Sequence, residues 1–148
     1  MGYTHYFTRK SETRDDALRF EMFARGAKTI IEYATKYDGI ALAGWDGEVE
    51  GAWEITDEVV RFNGLGENSH ETFAWGMDSS GFNFCKTAYK PYDAVVTACL
   101  IHLKDVYGDA VDIGSDGYWS EWSDGAKLYR NATGLTAKNP MTPEEVSA

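Results

Sequence analysis

The chain is poor in positive charge and has no long apolar run, and each shortage argues against a class of partner. Its 14 lysines and arginines are outnumbered by 24 aspartates and glutamates, giving a net charge of -10. Duplex nucleic acid and anionic membranes both bind basic surfaces, so neither is expected as the main partner. No apolar run approaches the roughly 20 residues that cross a bilayer.

Cysteine and histidine are also scarce. The N-terminal sequence MGYTHYFTRK lacks the apolar core of a signal peptide, which predicts a cytoplasmic protein. In that compartment the two cysteines, Cys85 and Cys99, are expected to be buried free thiols rather than a disulfide. A zinc site needs three or four ligands at workable spacing, which the three scattered histidines do not supply. No metal and no cofactor are expected.

What is abundant is apolar and aromatic surface. At 148 residues, with 43% hydrophobic and 14% aromatic residues, the chain is long enough for one domain with a sizeable core. We assign residues 1–132 to this domain. Residues 133–148, which are polar and contain two of the three prolines, are predicted to form a loose C-terminal tail.

Hydrophobic spacing predicts about three helices and several short strands. Helices are expected from Asp16, with Thr13 in an N-capping arrangement, to Gly39, from Pro91 to Gly108, and over 119–129. Strands are expected at 2–9, 40–45, 58–62, 71–75, 82–85 and 111–114, and the fourth and fifth of these could form a hairpin. This order predicts an α+β fold, a mainly antiparallel sheet with the helices packed on it.

A lysine-bearing segment leads into the second predicted helix. Lys86 and Lys90 lie in a stretch, 82–92, that contains no acidic residue, although the chain as a whole is strongly acidic. Helix N-termini bind anions through unpaired N–H groups, and Thr87 adds a hydroxyl donor. The segment therefore predicts a phosphate site, although lysines are also common on surfaces without any ligand.

Further polar and aromatic residues surround this segment in the sequence. Asn63, His70 and Glu71 follow a predicted strand and could read a sugar or a base, while Trp75 or Tyr92 could stack on a flat ring. The complete set of candidate ligand-binding residues is Asn63, His70, Glu71, Trp75, Lys86, Thr87, Lys90 and Tyr92.

Catalytic patterns in the same region are incomplete. The triplet His-Glu-Thr at 70–72 matches half of the two-histidine phosphodiesterase pattern, but the residues after His5 do not supply the second half. Cys85 beside Lys86 could act as a nucleophile with His70 as its base, and the alternative is an inert buried thiol. The glycine turn at 63–66 is not a P-loop, because no Gly-Lys-Ser/Thr follows it. It is not a dinucleotide fingerprint either, because a predicted strand rather than a helix follows.

Five segments of the chain resemble a family of small phage and bacterial proteins that begin Gly-Tyr-Thr-His-Tyr. They are GYTHYF at 2–7, LAGWDG at 42–47, FNGLGENSHETF at 62–73, FCKTAYKPYD at 84–93 and SDG at 115–117. The resemblance implies a small compact protein with a phage accessory role in a host bacterial cell, and it implies no particular chemistry.

Taken together, the residues and the resemblance predict a protein that binds a small phosphorylated ligand without catalysis. We expect the ligand to be a nucleotide or cyclic nucleotide immune signal, sequestered as a phage counter-defence. Two alternatives stay open. One is a nucleotide-processing enzyme using His70 or Glu71, and the other is an acidic inhibitor of a host enzyme. The sequence leaves a homo-oligomer open.

Overall fold

A computed structural model describes residues 3–10 and 15–141. Within them the chain forms seven strands, β1 (Thr4–Arg9), β2 (Leu42–Ala43), β3 (Glu54–Ile55), β4 (Val59–Gly64), β5 (Phe73–Gly76), β6 (Gly81–Lys86) and β7 (Val111–Ser115). The three α-helices are α1 (Asp16–Tyr37), α2 (Asp93–Tyr107) and α3 (Ser123–Thr133). All strand pairs are antiparallel, so the predicted α+β class is confirmed.

The strands form two groups. One is a three-stranded sheet in the order β6-β1-β7, and in the other β4 pairs with β2, β3 and β5. The expected hairpin between β5 and β6 is therefore wrong, because β5 pairs with β4 while β6 pairs with β1. Buried and partly exposed side chains alternate along β1. Every second side chain from Tyr3 to Arg9 is buried, so one face of the strand packs on the core and the other faces outward.

Helix α1 forms because its apolar residues recur on one face. The buried ones are Phe20, Phe23, Ala24, Ala27, Ile30, Ile31 and Ala34. The helix ends before Gly39, whose φ of 66° is the left-handed conformation that glycine adopts freely. Gly26, in the middle of the helix, admits the His102 ring, since a Cβ there would lie 2.0 Å from Nε2 of His102. The predicted Thr13 cap lies outside the described residues.

Helix α2 is central to the core. It packs against α1, α3 and β7, and this explains why it is apolar on most sides. The helix begins at Asp93 rather than at the expected Pro91. The difference arises because Thr87–Lys90 forms a turn whose last carbonyl already accepts the N–H of Asp93, at 2.8 Å.

The last residues that the structure describes touch the core at a few points, while Gly134, Leu135, Thr136, Lys138 and Asn139 are exposed. Met141 forms a parallel bridge with Ile113 of β7, and both Ala137 and Met141 contact the core. The part of the predicted tail that follows Met141 lies outside the described residues. Among residues 3–10 and 15–141, no helix is both long and apolar enough to cross a bilayer.

Candidate functional site

Five stretches of the chain meet at one end of the fold. We call this the loop end and define it as residues 3–5, 45–47, 63–72, 86–93 and 115–117. It lies where β1 begins, where β4, β6 and β7 end, and where α2 starts. Hydrogen bonds join all five segments to one another. Stretches that are far apart in the sequence therefore form one continuous region.

Asn63 is the structural connector of its loop rather than a residue that faces a ligand. Its Nδ2 donates to the carbonyl of His70 at 2.9 Å and to Oγ1 of Thr72 at 3.2 Å. Its Oδ1 accepts the N–H groups of Gly64 and His70 at 2.7 and 3.0 Å. The side chain is buried and fully used, so the prediction that Asn63 reads a sugar or base is wrong.

Hydrogen bonds hold the glycine turn after β4 against the segment at 45–47. The N–H of Gly66 donates to the carbonyl of Gly47 at 2.7 Å, and the hydroxyl of Thr72 donates to the carbonyl of Trp45 at 2.5 Å. Gly64 is needed because a Cβ there would lie 2.0 Å from the carbonyl oxygen of Asn68. These contacts fix the backbone that carries His70 and Glu71.

Glu71 and Lys86 are neighbours in space. The N–H of Glu71 donates to the carbonyl of Lys86 at 3.0 Å, and Oε1 of Glu71 accepts the N–H of Lys86 at 2.8 Å. Tyr92 lies beneath them, and its hydroxyl donates to the carbonyl of Glu71 at 2.6 Å. Tyr92 is completely buried, and this burial raises the pKa of its hydroxyl. The prediction that its ring stacks on a ligand is therefore wrong.

Trp75 lies away from the loop end. Its ring is buried in the core, edge-on to Tyr107 at a centroid distance of 5.3 Å, and the Arg9 guanidinium lies 5.9 Å from its centroid. No face of the ring is open, so Trp75 cannot stack on a ligand in this conformation. The alternation of β5 explains its burial, since Phe73 and Trp75 share the inward face of the strand.

The start of α2 has no free N–H groups for an anion. The N–H groups of Asp93, Ala94, Val95 and Val96 all donate to carbonyls of residues 90–92, at 2.8 to 3.3 Å. The carboxylate of Asp93 also lies in the first helical turn, where it complements the helix dipole. The prediction that phosphate binds the helix start is therefore wrong. Thr87 is likewise buried, and its hydroxyl donates to Asp93.

Four predicted site residues remain accessible at the loop end. His70 and Glu71 are exposed, and Lys86 and Lys90 are half-buried. Among residues 3–10 and 15–141, neither lysine ammonium lies within 4.0 Å of a carboxylate. The side chain of Asn63 hydrogen-bonds both the carbonyl and the N–H of His70, while the His70 side chain is exposed to solvent. These side chains are held at their bases and open at their tips.

A buried network of polar side chains lies below these residues. Nε2 of His5 is 2.6 Å from Oδ1 of Asp93, and its Nδ1 is 2.8 Å from Oγ of Ser115. A carboxylate oxygen accepts, so Nε2 of His5 carries the hydrogen of the bond to Asp93. The hydroxyl of Thr87 donates to the same oxygen of Asp93 at 2.6 Å. Sequence analysis missed this network because its members lie on different elements.

The network has the order serine, histidine, acid, but its serine is fully occupied. Oγ of Ser115 lies 2.8 Å from Nδ1 of His5 and accepts the N–H of Gly117 at 2.9 Å and Nε1–H of Trp122 at 3.3 Å. His5 is completely buried between the rings of Tyr3 and Trp122. An attacking serine needs a free lone pair facing its substrate. The arrangement therefore fits a structural role.

The turn before Lys90 covers this network. Ala88 and Tyr89 have φ values of 52° and 60°, which are strained for residues with side chains. Hydrogen bonds from the N–H groups of Thr87 and Ala88 to the carbonyl of Tyr3 hold the turn. The Tyr89 ring stacks on Tyr3 at 3.8 Å. Burial, with the nearby carboxylate of Asp93, raises the pKa of Tyr3 to about 12.

The cysteines are inert by position. Cys85 and Cys99 are free and completely buried, so the prediction of buried free thiols is confirmed. Burial raises the pKa of both thiols. Cys85 also points its sulfur at the carbonyl of Glu71, 3.4 Å away. A thiol without access to solvent and without a lowered pKa is a poor nucleophile, which disfavours the catalytic interpretation of Cys85.

Trp45 is an aromatic residue that sequence analysis did not select. Its side chain is 63% exposed, and its carbonyl is anchored to Thr72 beside His70. The Asp46-Gly47 turn that follows Trp45 could have indicated its exposure, because a side chain at a turn is less often buried by a sheet. Across the described parts of the chain, no three histidine, cysteine, aspartate or glutamate side chains are grouped so that they could hold a metal ion.

Comparison with known proteins adds no relative. No protein-family profile, no curated protein and no solved structure matches the chain.

Proposed function

We propose that this protein binds a small phosphorylated ligand, a nucleotide or cyclic nucleotide, at the loop end and releases it unchanged. The observation that carries the proposal is the pair Lys86 and Lys90, which have no carboxylate within 4.0 Å among the described residues of a chain with net charge -10. Ammonium groups without a carboxylate partner attract a phosphate by charge-assisted hydrogen bonds.

The neighbouring side chains supply the remaining contacts of a nucleotide. His70 and the second carboxylate oxygen of Glu71 can hydrogen-bond a sugar or base, and the exposed ring of Trp45 can stack on the base. The backbones of Trp45 and His70 are already fixed by Thr72 and Asn63. Preorganised contact residues lose less conformational entropy on binding, which favours capture of the ligand.

The resemblance to phage proteins suggests the purpose of such binding. A protein that holds a nucleotide immune signal at stoichiometric amounts removes it from the host defence, and no turnover is required. A nucleotide-processing enzyme is the competing function, because His70 and Glu71 are both exposed and adjacent to Lys86. Both functions need the same site, and they differ in the fate of the ligand.

The experiment follows the ligand through binding and release. The protein is titrated calorimetrically with ATP, 3′,5′-cyclic AMP and cyclic di-AMP as probes, and each bound sample is then heat-denatured and analysed by mass spectrometry. The proposal expects a probe to bind and to return with its mass unchanged. A probe that returns hydrolysed identifies an enzyme. Failure of every phosphorylated probe, with co-purification of a host protein, would favour the acidic inhibitor.

A further inference from the structure

The three-stranded sheet has one face that the core does not use. Side chains on its strands alternate, and the outward set forms three rows across the sheet. We call this set the open face and write each row from β6 through β1 to β7 or the residue that follows it. The rows are Lys86–Thr4–Asp116, Phe84–Tyr6–Gly114 and Phe82–Thr8–Asp112.

The β6 side of the open face is aromatic and exposed. Phe82 and Phe84 are 62% and 54% exposed, and their ring centroids lie 5.8 Å apart. The ring of Tyr6 on the central strand contacts Phe82 at 5.9 Å, so the three rings form one apolar patch. Burying a phenylalanine stabilises an assembly by roughly 1.5–3 kcal/mol, so two exposed on one strand indicate a contact surface.

In the middle row of the open face, the β6 side carries the ring of Phe84, whereas the β7 side carries Gly114 and has no side chain. Gly114 lies opposite Tyr6, and a Cβ built on it would meet only Tyr6, at an ordinary 3.8 Å. Its φ is not in the left-handed range. The fold therefore tolerates a side chain at this position. The effect of the glycine is to leave open space on the face beside Tyr6.

Charge on the open face also differs between its two sides. Lys86 lies on the β6 side, and Asp116 lies in the same row on the β7 side. Asp116 is held in place because its carboxylate accepts the N–H of Thr4 at 3.0 Å and the hydroxyl of Tyr6 at 2.8 Å. The third row ends at Asp112, which Lys10 pairs at 3.4 Å.

We propose that the open face binds the open face of a second copy of this chain. A two-fold axis parallel to β1 exchanges the β6 and β7 sides and keeps each row opposite itself. Lys86 then faces the second copy's Asp116, and Phe84 enters the space above the second copy's Gly114. Phe82 meets Asp112, whose charge Lys10 already balances. The face is thus complementary to itself in charge and in shape.

The charges favour a second copy over a strand of nucleic acid. Exposed rings on a sheet also stack on nucleobases, but such platforms use a basic groove to hold the phosphates. On the open face Lys86 and Asp116 remain as opposite charges, and Asp112 is balanced by Lys10, so the face lacks the basic groove that would hold a polyphosphate chain and is complementary to itself. Three strands spaced about 4.8 Å apart form a small interface, which predicts a weak dimer.

Sedimentation equilibrium over a concentration series tests the inference. The wild-type protein is expected to dimerise with a Kd in the micromolar range, so loading concentrations run from about 1 to about 300 µM. Phe84→Ser removes the ring, and Gly114→Val fills the space it enters. Each should weaken the dimer at least about tenfold, a loss of about 1.4 kcal/mol. Leu18→Ser, at a 57% exposed position on α1, is the matched control and should leave the Kd unchanged.

The outcomes separate this inference from the proposed function. Phe84, Gly114 and Leu18 lie outside the loop end, so each variant keeps the proposed ligand contacts. The dimer and the ligand would compete for Lys86, so Phe84→Ser and Gly114→Val are expected to bind the nucleotide at least as tightly as the wild-type protein does. A protein that stays monomeric throughout the series overturns the inference, and so does a dimer that ignores both Phe84→Ser and Gly114→Val. A monomer that binds oligothymidylate through Phe84 also overturns it and assigns the face to nucleobases. Circular dichroism confirms that each variant is folded.

Discussion

Nε2 of His5, on the first strand, lies 2.6 Å from Oδ1 of Asp93, at the start of helix α2. The same carboxylate oxygen accepts the hydroxyl of Thr87. The Asp93 side chain therefore connects β1, the turn that carries Lys90, and the central helix of the core. These hydrogen bonds fix the position of the proposed ligand site, although His5, Thr87 and Asp93 do not themselves face a ligand.

Asp93→Ala is expected to destabilise the fold strongly. It leaves the buried Nε2–H of His5 and the hydroxyl of Thr87 without an acceptor, and two such losses cost roughly 2–5 kcal/mol. Urea unfolding monitored by circular dichroism measures the change. Asp124→Ala is the matched control, because Asp124 is also acidic in the first turn of a helix but is exposed. It should cost less than about 1 kcal/mol. Equal losses for the two variants would mean that the helix dipole, not the network, explains Asp93.

Gly117→Ala and Gly114→Ala should differ although both glycines lie at the end of β7. A Cβ on Gly117 would lie 2.3 Å from the hydroxyl oxygen of Tyr3, a buried side chain, whereas a Cβ on Gly114 makes an ordinary contact. Gly117→Ala is expected to lower stability by about 1–3 kcal/mol through overpacking. Thermal melts compare the two variants, and a similar Tm for both would contradict the tight packing of Tyr3.

His102 should make the fold less stable in mild acid. Burial lowers the pKa of His102 below its ordinary value of 6.5, and the hydrogen bond to the Met22 carbonyl and the nearby Asp105 only partly oppose this. The unfolded chain therefore binds the proton first, so stability is retained above about pH 6.5 and falls as the pH drops below it. Urea unfolding at pH 7.5 and at pH values between about 5 and 6.5 measures this fall.

His102→Gln isolates that contribution. Nε2 of His102 lies 3.2 Å from the carbonyl of Met22, and a glutamine amide can donate to the same oxygen without titrating. The wild-type protein should lose stability relative to this variant as the pH falls. Parallel curves for the two proteins would show that His102 does not carry the effect.

The sequence predicts the helices and strands of this fold better than it predicts which strands pair with each other. The apolar spacing of α1 and α2 is strong enough to locate both helices, because burying such a face decides helix formation locally. The pairing of β6 with β1 is not encoded locally. It depends on burying Cys85 beside His5 and Phe7, residues far away in the chain.

The candidate site shows the same division. Lys86, Lys90 and His70 were selected as candidates because they are polar residues in a distinctive segment, but the sequence did not predict that residues 3–5, 45–47 and 115–117 lie at the same end of the fold. Trp75 was selected by proximity in the sequence, yet the alternation of β5 turns it into the core, while Trp45 stays exposed. A residue's side of a strand follows from register, and register is fixed by tertiary packing.

The role of the two lysines is tested most directly by calorimetric titration of Lys86→Ala plus Lys90→Ala. The probe is the phosphorylated nucleotide that binds the wild-type protein. Each charge-assisted contact contributes about 1.5–3 kcal/mol, so affinity should fall at least about tenfold, with the Tm nearly unchanged. The matched control is Lys28→Ala plus Lys127→Ala, which removes the same charge from exposed positions on α1 and α3 and should leave affinity unaltered. Equal affinity of the Lys86/Lys90 variant and the wild-type protein would contradict the proposed site.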